Sequence, residues 1–152
     1  MAITHAALST AGVALLLSTA HPVALGLAVL GSQLPDLDTS TSLIGQLCFP
    51  VSHWLEERFP HRSVTHCLLA TAALAVVALP ISYALGAVKL AAALPLGHLP
   101  ACFSDTFTKQ GVQLFWPMPG WSISVSNPRR RLTTSGPGEY WVLAMAVAVL
   151  GC

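Results

Sequence analysis

Charge is scarce in this 152-residue chain: 9% of its residues are Asp, Glu, Lys or Arg, against about 25% in ordinary soluble domains. With 54% hydrophobic residues, a mean hydropathy of +0.67 and a net charge of +1, the composition is that of a membrane protein. It carries no general polyanion-binding surface, and no nucleic acid partner is expected. No Lys or Arg precedes Arg58. A secretory signal peptide wants a positive n-region, so the first apolar run is expected to stay in the mature protein. Cysteine is thin too. Cys48, Cys67, Cys102 and Cys152 form no CxxC and no close spacing, which argues against a thiolate zinc site and against a disulfide framework. They read as mostly buried small apolar residues. GxSxG is absent, and no Cys has a base nearby in sequence, so no covalent nucleophile is indicated.

What is there is a series of short apolar segments. Residues 6–20 and 22–34 are separated by His21-Pro22, which predicts a tight helical hairpin with Pro22 in the first turn of its second arm. Fifteen helical residues rise about 22 Å, less than the roughly 30 Å of a bilayer core. The pair therefore spans a thinned membrane or forms a short buried hairpin. A third segment, 64–79, ends at Pro80; a fourth, 81–107, bends near Pro95 and Gly97; a last one covers 139–151. Between them lie two polar interruptions. The first, 39–62, contains a short amphipathic helix over 51–59, with Glu56, Glu57 and Arg58 as a solvated face and His53 beside Trp54. The second, 108–138, holds Phe115, Trp116 and Trp121, which suit a membrane-interface belt, and Arg129-Arg130-Arg131, a solvated or headgroup-binding patch. The expected fold is all-α: one membrane-embedded domain, 1–152, of about four to five short apolar helices with membrane lipids around it.

Polarity concentrates in Pro60-His61-Arg62-Ser63-Val64-Thr65-His66. In so apolar a chain such groups must be solvated, hydrogen-bonded or metal-bound; Ser63 as a helix N-cap is the plain structural reading. Alternating up-and-down helices then give the scattered polar residues one address. His5 begins the first helix, Asp36 and Asp38 end the second, His66 begins the third, Asp105 ends the fourth and Glu139 begins the fifth. His98 and Asp105, seven apart, share a helix face. Six of the seven basic residues, all but Lys89, lie in the two loops at that same end, which the positive-inside rule makes cytoplasmic. Histidines and carboxylates converging in this way have the ligand chemistry of a divalent metal, zinc first, with manganese or iron as alternatives.

These residues resemble a known pattern: Thr4-His5; Leu34-Pro35-Asp36-Leu37-Asp38; His61-Arg62-Ser63-Val64-Thr65-His66; Gly97-His98; and Ser104-Asp105-Thr106-Phe107-Thr108 followed by Gly111-Val112-Gln113-Leu114-Phe115-Trp116-Pro117. The chain is similar, from about residue 4 to residue 139, to the YdjM family of inner-membrane proteins, described as metal-dependent hydrolases and as LexA-regulated. That family bears a distant similarity to zinc-dependent phospholipase C and P1-type nuclease. The resemblance implies metal ligation by His5, Asp36, Asp38, His61, His66, His98 and Asp105, and by Glu139. The function expected is a membrane-bound metal-dependent hydrolase, a phosphoesterase on a lipid or membrane-proximal substrate. Asp36 or Asp38 would bridge metals or act as base, and Arg62 would hold a phosphate. Two other readings compete. One is a non-catalytic membrane protein whose polar end holds a structural metal or docks a partner; the other is a transporter-like bundle with Lys89 along its path.

Overall fold

The computed structural model describes residues 2–84, 86–133 and 136–150, with Lys89 described in its backbone only. Its elements are α1 (Ala2–Leu17), α2 (Pro22–Gln33), a 3-10 turn (Leu34–Asp38), α3 (Leu43–Leu47), α4 (Phe49–Arg58), α5 (Leu68–Ala84), α6 (Val88–Asp105), a second 3-10 turn (Pro128–Arg130) and α7 (Pro137–Leu150). Among the described residues there is no strand, only isolated bridges. The all-α expectation holds. α6 packs on α1, α2 and α5, and α7 lies on α1. Lys89 and Cys152, singled out in the sequence, have side chains outside the described residues.

Local chemistry explains the helix ends and corrects several expected ones. Pro22 opens α2, and His21 Nδ1 accepts the Val23 N–H at 3.3 Å as its cap. Helix α1 begins at Ala2, so His5 lies within its first turns rather than ahead of it. The third apolar segment becomes helical only at Leu68, four residues later than its composition predicts. The Leu68 N–H is taken by the Leu114 carbonyl at 2.9 Å, and His66 therefore sits in a loop. Pro80 does not end a helix either: it lies inside α5, and the chain turns instead at Gly86, whose φ of +65° suits glycine. Pro95 and Pro100 are likewise internal to α6. Ser9 of α1 donates to the Gly97 carbonyl at 2.6 Å within this proline-loosened stretch.

The packing is that of a bundle with its large apolar side chains outward. The buried apolar core is made of small residues, Ala11, Val13, Ala24, Ala28, Ala93 and Ala101, while Leu15, Leu16, Val76, Trp141 and Met145 are two-thirds exposed or more. Small residues let helix backbones approach, the usual solution where the surroundings are as apolar as the core. Even so, no helix among the described residues is long and apolar enough to cross a membrane. The closest approach is between α2 and α6. A Cβ at Gly31 would run into the Leu94 carbonyl, and one at Gly97 into the Ala28 backbone. Gly97→Ala is therefore expected to destabilise the protein by about 1–3 kcal/mol. Thermal unfolding in detergent checks this; an unchanged midpoint would mean that the two helices separate freely.

Candidate functional site

At the end of the bundle where α2 and α6 finish, the largest fully buried side chains are polar: His5, His66, His98, Asp38 and Asp105 are all 1% exposed or less. Asp105, the last residue of α6, is the hub. His5 Nε2 lies 3.3 Å from its Oδ1 and His66 Nε2 3.3 Å from its Oδ2, and an Arg62 Nη stands 3.6 Å from Oδ1. Yet His5 Nε2, His66 Nε2 and both Asp105 oxygens are buried with no hydrogen-bond partner. Four such atoms together are costly unless something satisfies them.

Asp38 forms the second layer. Its Oδ1 lies 2.9 Å from His61 Nδ1, while its Oδ2 accepts the Arg62 backbone N–H at 2.8 Å and stands 3.6 Å from His66 Nδ1. Arg62 delivers that N–H from a left-handed backbone, φ +65°, a strained conformation for a non-glycine residue that its surroundings must hold. They do: Gln113 N–H donates to the Arg62 carbonyl at 2.9 Å, and Arg62 Nη1 donates to Thr108 Oγ1 at 2.6 Å. The second polar interruption thus folds back over the first and clamps it.

Burial pushes the Asp38 carboxyl up, but the hydrogen-bonded His61 and the nearby His66 overcome it and hold Asp38 well below the usual carboxylate range. Burial likewise works against charge on His66, and the carboxylates of Asp105 and Asp38 beside it raise it to about 9. With no cation beside it, His66 carries the positive charge that the two carboxylates demand.

The other sequence-read residues lie around this centre. His61 is at the rim, its side chain 45% exposed and its ring 5.7 Å from that of His66. His98 has both nitrogens occupied, Nδ1 by the Thr71 hydroxyl at 2.8 Å and Nε2 by the Thr65 carbonyl at 2.9 Å. Glu139 accepts the Thr4 hydroxyl at 2.7 Å, tying α7 to the residue before His5. Asp36 contributes its backbone carbonyl to Ser42 Oγ and is half-buried, whereas Asp38 is buried. His53 pairs with Glu57 on an exposed face, as expected of α4. Cys67 and Cys102 are buried as read, whereas Cys48 is exposed. Of the threonines that hold the histidines and Arg62, Thr65 and Thr108 stand in the stretches that carry the family resemblance, whereas Thr71 carried no signal in the sequence.

His5 and His66 approach different oxygens of Asp105, and among the described residues no three His, Cys, Asp or Glu side chains are grouped as a set able to hold a metal ion. Pairwise the spacing is telling. Donors on one cation at bonds of about 2.0–2.1 Å and tetrahedral angles stand about 3.3 Å apart, the separation of both His–Asp105 pairs.

Small residues inside, large apolar side chains outside and a buried His–Asp–Arg centre at one end define a small all-helical bundle with a polar end. Within that class the chain belongs to the YdjM inner membrane protein family, whose model matches residues 1–152. It is 36% identical over 93 residues to the inner membrane protein YdjM of Escherichia coli (strain K12), and equally to that of Shigella flexneri. The match covers 59% of this chain and 47% of each relative, so the chain spans about half the length of the curated relatives it matches. No solved structure matches it.

Proposed function

We propose that this protein is a membrane-bound metal-dependent hydrolase, a phosphoesterase, with its polar end at the cytoplasmic face of the inner membrane. The observation that supports the reading is the group of buried donors without a hydrogen bond, His5 Nε2, His66 Nε2 and the Asp105 carboxylate, which face one another at ligand-like separations. These three would hold the cation, zinc by their chemistry, with manganese or iron also compatible. Bound there, such a cation supplies Lewis acidity and makes water acidic near neutral pH. Asp38 orients His66 from behind, as carboxylates do for ligating histidines. His61, half-exposed on Asp38, passes protons between the centre and solvent. Arg62 offsets the charge of Asp105 and presents a guanidinium fork to phosphate oxygens. Asp36, His98 and Glu139 stand outside this ligand set and support its walls.

The family name and the outward-facing apolar side chains support insertion in the inner membrane as a multi-pass bundle in a locally thinned bilayer. The cations in the two polar loops support a cytoplasmic polar end.

The test is elemental analysis of the detergent-purified protein together with hydrolysis of a phosphoester panel. Near-stoichiometric zinc, manganese or iron is expected, with turnover lost on chelation and regained on metal return. Protein that takes up no metal even after reconstitution overturns the reading. Protein that holds metal but turns over nothing is a structural metalloprotein instead.

A further inference from the structure

Three cavities are joined through shared lining residues, and the innermost of them reaches Arg62. The innermost, about 190 Å³, is lined by Arg62, Thr108, Lys109, Gln110, Leu132 and Thr133. Lys109 and Thr133 also line an outer cavity of about 510 Å³, which adds Pro128, Arg129 and Arg131. Together the two carry four cationic side chains and no carboxylate among their described lining residues. Their charge is positioned: Arg131 Nε donates to the Val125 carbonyl at 2.8 Å, and Asn127 caps the turn bearing Arg129 through its N–H at 3.0 Å. The inner end of the path is Arg62, 3.6 Å from Asp105.

Leu132 separates this basic path from a third cavity of about 370 Å³, an apolar groove between α1, α6 and α7 that includes Leu8, Gly12, Pro100, Phe103, Phe107 and Val142. The Leu132 backbone is fixed on both sides, its N–H on the Phe107 carbonyl at 2.9 Å and its carbonyl on the Lys109 N–H at 3.2 Å. One side chain thus divides a cationic pocket from an apolar one. Two other apolar grooves, at α2, α5 and α6, have no Lys or Arg among their described lining residues. Of these three grooves, the one at Leu132 adjoins such a path.

We infer that the site takes a lipid phosphate: the phosphate sits between Lys109, Arg129 and Arg62, and one acyl chain runs over Leu132 into the α1–α6–α7 groove. Guanidinium and ammonium groups match phosphate oxygens, and a methylene chain suits a groove whose walls are apolar but for Ser104. That this lipid is the substrate rests on the hydrolase reading. Its binding does not.

The experiment measures binding to the full chain in neutral detergent with chelator present, so that no turnover occurs. The probes are a lysophosphatidate, its zwitterionic phosphocholine counterpart and inorganic phosphate. The lysophosphatidate is expected to bind at least tenfold tighter than the phosphocholine lipid. Lys109→Ala with Arg129→Ala should weaken both lysophosphatidate and inorganic phosphate tenfold or more, while Arg130→Ala, outside the cavities, should weaken neither. Gly12→Leu should weaken lysophosphatidate tenfold and leave inorganic phosphate unchanged. A Cβ at Gly12 meets only Pro100 Cγ, at 3.7 Å, so the larger side chain enters the groove without backbone collision. Val142→Trp serves as a second groove variant, and far-UV circular dichroism with monodisperse elution verifies folding. Unchanged lysophosphatidate affinity in the Lys109/Arg129 variant overturns the proposal. So does unchanged affinity in both groove variants, which would mark a pocket for water-soluble phosphoesters. Because metal is absent throughout, a failed hydrolase assay leaves this result standing, and lost lipid binding leaves the metal measurement standing.

Discussion

Asp105→Asn is expected to lower the affinity of the purified protein for its metal by more than a hundredfold and to remove turnover with it. The substitution keeps the shape of the side chain and deletes its charge. His5 and His66 both approach Asp105, from opposite oxygens, so no other single change touches every proposed ligand. Arg62, 3.6 Å away, then stands as a positive charge beside the two imidazoles and further repels a cation. The comparison that gives the number meaning is His61→Ala. His61 acts through Asp38 and should cost only the 10–100-fold of an outer-shell partner. Glu57→Gln, in an exposed pair with His53, should cost nothing. Competition with a calibrated chelator provides the affinities, and far-UV circular dichroism verifies that the variants remain helical. Full wild-type affinity in folded Asp105→Asn would sink the proposed ligand set. A His61→Ala loss as large as that of Asp105→Asn would place the cation at the rim, between His61 and Asp38.

The assembly of this centre was legible in the sequence because it follows from alternation alone. Short apolar segments joined by tight turns must bring His5, Asp38, His66 and Asp105 to one end, and they do. The distinction between Asp36 and Asp38 was not legible. Asp38 is buried on His61 and the Arg62 N–H while Asp36 is half-buried, and nothing in Leu-Pro-Asp-Leu-Asp tells which of the two carboxylates the distant His61-Arg62 segment covers. The start of α5 was misread for a related reason: Val64-Thr65-His66-Cys67 is apolar enough to be helical, but the loop from Thr106 onward claims the Leu68 N–H through Leu114. That contact is over forty residues away in sequence. His98 shows the opposite failure. Its spacing from Asp105 put the two on one helix face, and both are buried, yet Thr71 and Thr65 satisfy both His98 nitrogens, and a hydroxyl on a neighbouring helix leaves no pattern in the chain. Pro80 and Gly86 complete the contrast. A bundle can absorb a proline within a helix by adjusting the freed backbone groups, whereas the positive φ at Gly86 is a conformation few other residues adopt, so the glycine marks the turn.

The chelated protein is expected to lose stability as pH rises from 6.5 to 9, and the metal-loaded protein is not. His66 is raised from an ordinary 6.5 to about 9. A group whose folded pKa lies above its unfolded one stabilises fully below the unfolded value and loses that contribution as pH climbs through the folded value. For so buried a residue the difference amounts to about 3 kcal/mol, or several degrees of melting temperature in a protein of this size. Asp38, held below its ordinary 3.8, acts in the other direction: its contribution is present above pH 4 and lost as the medium turns more acidic. Metal-free protein should therefore be most stable between about pH 4 and 6.5. A cation binds the deprotonated imidazole, so loading it releases the His66 proton and makes affinity grow with pH. The alkaline decline should then vanish from the metal-loaded melt. Asp38→Asn removes one of the two carboxylates that charge His66, and should move the onset of the decline to lower pH. Melting curves at pH 5.5, 7.5 and 9.5, with chelator and with zinc, decide the matter. Equal midpoints across that range in chelator would mean that His66 is neutral between its two carboxylates, and the electrostatic basis for metal–proton exchange at this centre would be gone.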